Sequence, residues 1–344
     1  MKSSRNGGIT IADVARQAGV SAMTVSRALR EPARVSEKTR AHIQAVIEKL
    51  GYTPDPAAQA LAAGRTNVIG VIVPSVTNNV FADVMRGIYN SSEGTRWQIQ
   101  LGNSRYSPIQ EERLVRTFLN QRPAGLILAG IDQSDETKAL LRQSTCRMVQ
   151  VMEIGENPFD LMIGFSHFDG ARSATRHLIE MGYRRPGFLG ARLDPRTQRR
   201  LDGFRDILRE EGLLDTNRIV TTPQPSTVTL GGLLMADLLS RAPDTDAILC
   251  NNDDLALGAL FECQRRGLSV PFDFGICGFN DLEMMAAANP AITSVRTHRL
   301  EMGERAFRML ADALEGHPPD EPVVDLGFEI IQRESTRRGR HSAL

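Results

Sequence analysis

The sequence predicts a small all-α helix-turn-helix head followed by an α/β body of two doubly wound parallel-sheet lobes. Three observations lead there. Residues 1–65 hold ten Lys/Arg against five Asp/Glu and so carry +5, although the whole chain of 344 residues is formally neutral and the remainder is therefore −5. Residues 10–51 show helical periodicity interrupted by a tight turn. From residue 67, short apolar runs alternate with amphipathic segments over roughly 230 residues, more than one comfortable doubly wound sheet holds.

Composition bounds the class. A hydrophobic content of 41% suits a soluble globular protein. No apolar run approaches the ~20 residues of a membrane span, and "MKSSRNGG" has no signal-peptide core, so a cytoplasmic protein without membrane contact is expected. Cys146, Cys250, Cys263 and Cys277 lack CxxC spacing and sit among strand-like or helical apolar residues, which predicts buried reduced thiols. Neither a metal nor a cofactor is expected.

In the head, "TIADVARQAGVSAMTVSRALR" opens with Thr10 and Asp13 as a capping-box-like start. Ile11, Val14, Ala15 and Ala18 then form one apolar face, and Gly19 permits a left-handed turn. Ser21 can cap a second helix with Val25 and Leu29 inward. A third helix should run from Ser36 to a stop at Gly51. In such a module the start of the second helix enters the DNA major groove. The outward Ala22, Met23, Thr24, Ser26 and Arg27 are thus candidates for bases: Met23 for a thymine methyl, Arg27 for guanine. Thr10, Ser21, Thr24 and Ser26, with Ser36 and Thr39, are candidates for phosphates. The basic charge favours double-stranded DNA as partner over a plain packing module.

"AAQALAA", after Tyr52 and two prolines, is too short for an isolated helix in water. It is either a flexible linker or a hinge helix that folds against DNA and presents Leu61 as a wedge into a minor-groove step.

The run "TIADVARQAGVSAMTVSRALREPARVSEKTRAHIQAVIEKLGYTPDPAAQALAAGRTNVIGVIVP" resembles, motif for motif, the head and hinge of the lactose/galactose repressor (LacI/GalR) family. The resemblance implies a homodimer whose heads read a near-palindromic operator while paired hinges lever Leu61 into its central step. Asp55, Pro56 and Gln59 depart from the family's usual hinge. It also implies a periplasmic-binding-protein-like core. The expected divisions are 1–52 for the helix-turn-helix head, 53–66 for the hinge and 67–344 for an effector-binding and dimerisation core. Within the core, the N-lobe takes about 67–165 and 297–325, and the C-lobe about 166–296 and 326–336.

Within the body, "VIGVIV", "WQIQLG", "AGLILA", "MVQVM", "LMIGF", "RPGFLG", "DAILC" and "FGICGF" read as strands, most of them followed by helical patterns. Ligands of parallel sheets bind beyond the strands' carboxyl ends. That rule selects Ser75, Asn78, Phe81, Glu153, the arginines of "GARLDPRTQRR", Asn251 to Asp254, Asn280 and Asp281. The resemblance implies Phe81 as an apolar wall, Glu153, Arg196, Arg200 and Asn252 as cleft contacts, and Asn280 with Asp281 as hydroxyl acceptors. It also places a further wall in "PSTVTL" (225–230), whose register stays open. Plainer roles exist for several: Asn252 and Asp253 as helix caps, Asn280 and Asp281 as a turn, Glu153 as a solvated loop acid.

Asp194 as N-cap and Pro195 as first helical residue start a helix that should reach Gly212. Arg196 and Arg200 are then i, i+4 neighbours at an end already suited to anions. Arg199 points elsewhere and reads as solvated, and Arg192 is undecided. Arginines for a carboxylate and Asn/Asp for hydroxyls suit a sugar acid. "GARLD-RT", "NDDLA-GA-FECQR-GL-VP" and "DLGF" resemble the gluconate-repressor branch. The expected effector is gluconate or a relative such as 2-ketogluconate, with a neutral or phosphorylated sugar, or corepressor action, as alternatives. No GxGxxG after a strand, GxxxxGK[ST], GxSxG or HExxH is present, and the six histidines lack partnered acids, so no enzyme is expected. His167 and His298 read as structural or solvated.

Overall fold

A computed structural model describes residues 9–30, 34–53 and 66–338. The chain divides into two compact units, Met1–Thr66 and Asn67–Leu344. In the first, α1 (Ile11–Ala18), α2 (Ala22–Arg30) and α3 (Glu37–Leu50) pack around Val14, Val25, Ile43 and Ile47. Thr10 Oγ1 accepts the Asp13 N–H at 3.4 Å while the Asp13 carboxylate accepts the Thr10 N–H at 3.0 Å, the expected capping box. Gly19 and Gly51 close α1 and α3 at φ 66° and 63°, conformations that cost a Cβ-bearing residue energy. Leu61, Asp55, Pro56 and Gln59 of the expected hinge lie outside the described residues.

The second unit is an alternation of strand and helix, as the apolar runs predict. Its N-lobe begins β1 (Val68–Val73), α4 (Asn79–Ser92), β2 (Gln98–Asn103), α5 (Pro108–Asn120), β3 (Gly125–Ala129), α6 (Asp135–Gln143), β4 (Arg147–Val151) and β5 (Leu161–Gly164). The C-lobe follows with α7 (His167–Glu180), β6 (Pro186–Ala191), α8 (Pro195–Glu210), β7 (Ile219–Thr222) and α9 (Val228–Arg241). It continues through β8 (Ala247–Cys250), α10 (Asp253–Arg265), β9 (Gly275–Asn280), α11 (Glu283–Ala287) and β10 (Thr293–Thr297). The chain then returns to the N-lobe for α12 (Arg299–Leu314) and β11 (Val323–Asp325), and ends its sheets in the C-lobe with β12 (Phe328–Ile331). The N-lobe sheet runs β11-β5-β4-β3-β1-β2 and the C-lobe sheet β12-β10-β9-β8-β6-β7.

Eight strands fall where the apolar runs place them; β7, β10, β11 and β12 are additional. The C-lobe sheet is parallel except at one edge, where β12 runs antiparallel to β10. The physical reason is the short Leu326–Gly327 connection, with Gly327 at φ 63°, which carries β11 into β12 without a crossover helix. Gly87 and Gly303 let α4 and α12 meet backbone to backbone, since a Cβ on either would strike the partner's main chain. That approach sets Arg299 beside Asp83.

Candidate functional site

The carboxyl ends of strands from both lobes converge on a cleft of about 430 Å³ counting its open mouth, within the ~300–1,000 Å³ of small-molecule sites. Asn78, Val80, Phe81, Tyr106 and Met152 form its N-lobe wall; Arg192, Asp194, Arg196, Thr197, Arg200, Ser226, Asn251, Asn252 and Asn280 stand on the C-lobe side. Asn78, Phe81, Arg196, Arg200, Asn252 and Asn280 of the expected set are therefore brought together.

Asp194 caps α8 as predicted, accepting the Thr197 N–H at 2.9 Å. Burial works to raise its pKa, but the Arg196 charge and that N–H hold the carboxyl below its ordinary value. Arg196 Nη2 lies 3.2 Å from Asp194, while its Nη1 is buried with no hydrogen-bond partner among the described residues. Its guanidinium carbon sits 5.3 Å from the Phe81 ring centre. Arg200 is buried and more constrained. Nε and Nη2 donate to His167 Nδ1 at 3.1 and 3.0 Å, Nη1 donates to the Asn251 carbonyl, and the group stacks 3.9 Å from the Phe279 ring centre. Burial pushes its pKa down to about 10, so it stays charged at neutral pH. His167 is fully buried, and burial followed by the Arg200 charge holds it neutral.

Asn280 closes β9 at φ 110°, and its Oδ1 is buried without a partner among the described residues. Arg299, ion-paired to Asp83 at 2.9 Å, donates to the Asn280 carbonyl and so ties α12 and α4 to the cleft. Asn252 lines the cleft and also caps α10, accepting the Leu255 N–H at 3.1 Å. Asn78 likewise caps α4, accepting the Val80 N–H at 3.0 Å.

Ser75, Glu153 and Asp281 stand outside this lining. Ser75 Oγ accepts the N–H groups of Thr77 and Asn78 at 3.2 and 3.1 Å. Asp281 is held between Arg296 at 2.8 Å and Arg333 at 2.7 Å. Glu153 is no solvated loop acid: it is 2% exposed, and its Oε1 accepts the Ile154 and His167 N–H groups at 3.2 and 3.4 Å. Burial raises its pKa to about 7, against the opposing pull of Arg199 3.5 Å away. Arg199 corrects the expectation of a solvated side chain. It forks onto Asp132 of the N-lobe, just beyond β3, at 2.6 and 2.7 Å.

Tyr106, Thr197 and Ser226 were not singled out by the sequence. Tyr106 follows β2, so the strand-end rule applied to "WQIQLG" would have found it; of the open segment 225–230, Ser226 lines the cleft.

The sequence model described as "Bacterial regulatory proteins, lacI family" matches residues 10–55, and that of a "Periplasmic binding protein-like domain" matches 175–336. The "HTH-type transcriptional regulator GntR" of Pseudomonas aeruginosa is 37% identical over 95% of this chain and 95% of its own length. The chain belongs to the lacI family of bacterial regulatory proteins. A LacI-family regulator from Silicibacter pomeroyi superposes with a TM-score of 0.86 at 33% identity, covering 96% of this chain and 100% of that one. The lac repressor dimer bound to operator and the anti-inducer ONPF gives 0.82 at 25% identity, covering 96% and 99%.

In this LacI-family head, Met23 is 63% exposed on α2, with Ala22 and Arg27 also exposed and Thr24 and Ser26 half-buried. The exposed Thr10, Ser21 and Ser36 hold helix starts: Ser21 Oγ accepts the Thr24 N–H at 3.1 Å and Ser36 Oγ the Thr39 N–H at 3.3 Å. Among the described residues no helix is long and apolar enough to cross a membrane. The four cysteines are free thiols, three buried and Cys146 half-buried.

Proposed function

We propose that this transcriptional regulator is a homodimeric repressor, released from its operator when gluconate or a related sugar acid enters the cleft. The observation that carries this reading is the charge of the lining: three arginines, Arg192, Arg196 and Arg200, stand against one carboxylate, Asp194. Like charges gathered in a half-buried site are relieved by an anion, and a guanidinium fork matches a carboxylate. The unpartnered Arg196 Nη1 and Asn280 Oδ1 supply a buried donor for the acid and a buried acceptor for a hydroxyl.

For the head, Ala22, Met23, Thr24, Ser26 and Arg27 are read as facing bases, with Thr10, Ser21, Ser36 and Thr39 on phosphates. The ligand shifts the protein only if it binds two lobe arrangements differently. Closure around the anion would respace the N-lobes of the dimer and weaken its hold on DNA.

Calorimetry on the full chain with D-gluconate, beside an electrophoretic shift on its own upstream DNA, tests this. Binding should be measurable and should weaken the shift. Arg196→Ala should lower gluconate affinity about 100-fold, the loss of a buried charge-assisted pair. Binding of a neutral sugar with none of any C6 sugar acid sinks the reading, and a shift tightened by gluconate reverses its sign.

A further inference from the structure

Two loops face each other across the mouth of the cleft. Both hold consecutive non-glycine residues in the left-handed region: Arg105 and Tyr106 at φ 54° and 57°, Arg192 and Leu193 at 71° and 53°. Such backbones are unfavourable for residues with a Cβ and persist where surrounding contacts over-determine them, as at ligand clamps. Here the contact is a charge on a ring. The Arg192 guanidinium carbon lies 3.9 Å from the Tyr106 ring centre, and that of Arg196 5.9 Å from the same ring. The Tyr106 hydroxyl accepts from Asn78 Nδ2 at 3.3 Å, anchoring the ring in the N-lobe. The Arg192 N–H donates to the Gln224 carbonyl at 2.8 Å, anchoring the cation in the C-lobe. Arg192 is half-buried, and among the described residues no carboxylate is ion-paired with it, unlike Arg196 and Arg199.

We propose that Tyr106 and Arg192 form a cation–π gate at the cleft mouth that sets the preference for an anionic over a neutral ligand. This rests on the reading of the cleft as a sugar-acid site. A free surface arginine is screened by water; one seated on an aromatic face is partly desolvated and aimed, so it attracts an entering carboxylate more strongly. A neutral polyol gains nothing from that charge. Ring and cation come from different lobes, so the contact exists only while the two loops are opposed, which couples ligand charge to the lobe arrangement. Tyr106 is a positioning residue that acts through Arg192 and Arg196.

The test titrates the full chain with D-gluconate and with D-glucitol, a neutral polyol of the same carbon count, by calorimetry. Tyr106→Phe keeps the ring face and should keep the wild-type ratio of the two affinities within about twofold. Tyr106→Leu and Arg192→Gln should each weaken gluconate about tenfold, as expected for a partly desolvated cation–π contact, and change glucitol less than about twofold. Their combination should lose no more than either alone. Where glucitol binds too weakly to measure, the dependence of gluconate affinity on sodium chloride is the readout: shallower in Tyr106→Leu, unchanged in Tyr106→Phe. No gluconate binding by the wild type overturns the sugar-acid reading and the gate together. Wild-type binding that Tyr106→Leu leaves unaltered in affinity and salt dependence, or an equal loss for both ligands, overturns the gate alone.

Discussion

On the N-lobe wall of the cleft, Val80, Phe81, Tyr106 and Met152 present carbon and ring faces beside the single amide of Asn78; on the C-lobe wall stand all the cleft's charged groups, Arg192, Asp194, Arg196 and Arg200. The difference shows in how each wall is held. The charged wall is cross-linked: Arg200 to His167 and the Asn251 carbonyl, Asp194 to the Thr197 N–H, and Asn251 Nδ2 to Thr197 Oγ1 at 2.8 Å. Buried charge is tolerated only when paired and hydrogen-bonded, so that wall must be built rigid. An apolar wall needs packing alone and can approach or withdraw at little electrostatic cost. On the proposed reading, the C-lobe recognises and the N-lobe covers.

The sharpest break in that comparison is Arg200→Met, which removes a cross-link and leaves the Asn251 carbonyl and His167 without their donor. The core should lose about 3 kcal/mol in urea unfolding, as for other buried charge-assisted networks. A loss under ~1 kcal/mol would mean the charged wall does not depend on its ties.

Next comes pH. Glu153, after the N-lobe strand β4 and outside the cleft lining, has its pKa raised to about 7 by burial, so between about 4.5 and 7 the folded form holds a proton that the unfolded chain releases. Stability should therefore fall as pH rises through that window and level off above it, by on the order of 3 kcal/mol for this group. Asp253, buried and also raised to about 7, tilts stability the same way. Glu153→Gln should thus flatten part of the slope between pH 5 and 8, and an unchanged slope would remove Glu153 from the account.

On the other wall, Phe81→Leu keeps apolar bulk but takes the ring from beneath Arg196. Gluconate affinity should drop about fivefold, roughly 1 kcal/mol, with the fold intact. A loss as large as that of Arg196→Ala would erase the division of labour. The smallest effect is expected outside the cleft, where Asp132→Asn breaks the partly exposed fork to Arg199. Stability should change by less than ~1 kcal/mol, measured by thermal melting.

Much of the architecture is readable locally because it is encoded locally. Thr10 with Asp13, Ser36 and Asp194 announce helix starts through hydrogen bonds spanning three residues. Seven of the eight apolar runs mark largely buried strands, and the eighth, β2, is an edge strand with mostly exposed side chains. The missed strands are those without such runs: β7, β11 and β12 are short edges, largely half-buried or exposed, and β10 is buried through polar Thr293, Ser294 and Thr297, with Arg296 exposed. The same division separates the site residues. Strand-end position alone brings Asn78, Phe81, Arg196, Arg200, Asn252 and Asn280 to the cleft, whereas Ser75 and Asp281 share that position and are taken up by their own loops and neighbouring arginines.

By itself, then, the sequence determined the basic three-helix head, the β-α alternation, the capped start of α8 and the family, because periodicity, caps and motifs are properties of neighbouring residues. Tertiary structure alone decided what each arginine after β6 does. Arg192 meets the Tyr106 ring, Arg196 has a donor beside Phe81 without a partner among the described residues, Arg199 crosses to Asp132, and Arg200 locks onto His167 and Asn251. Those partners lie tens of residues away along the chain, and only the packing of two sheets brings them within contact, where burial turns similar cations into a proposed gate, a candidate ligand donor, an interlobe tie and a strut.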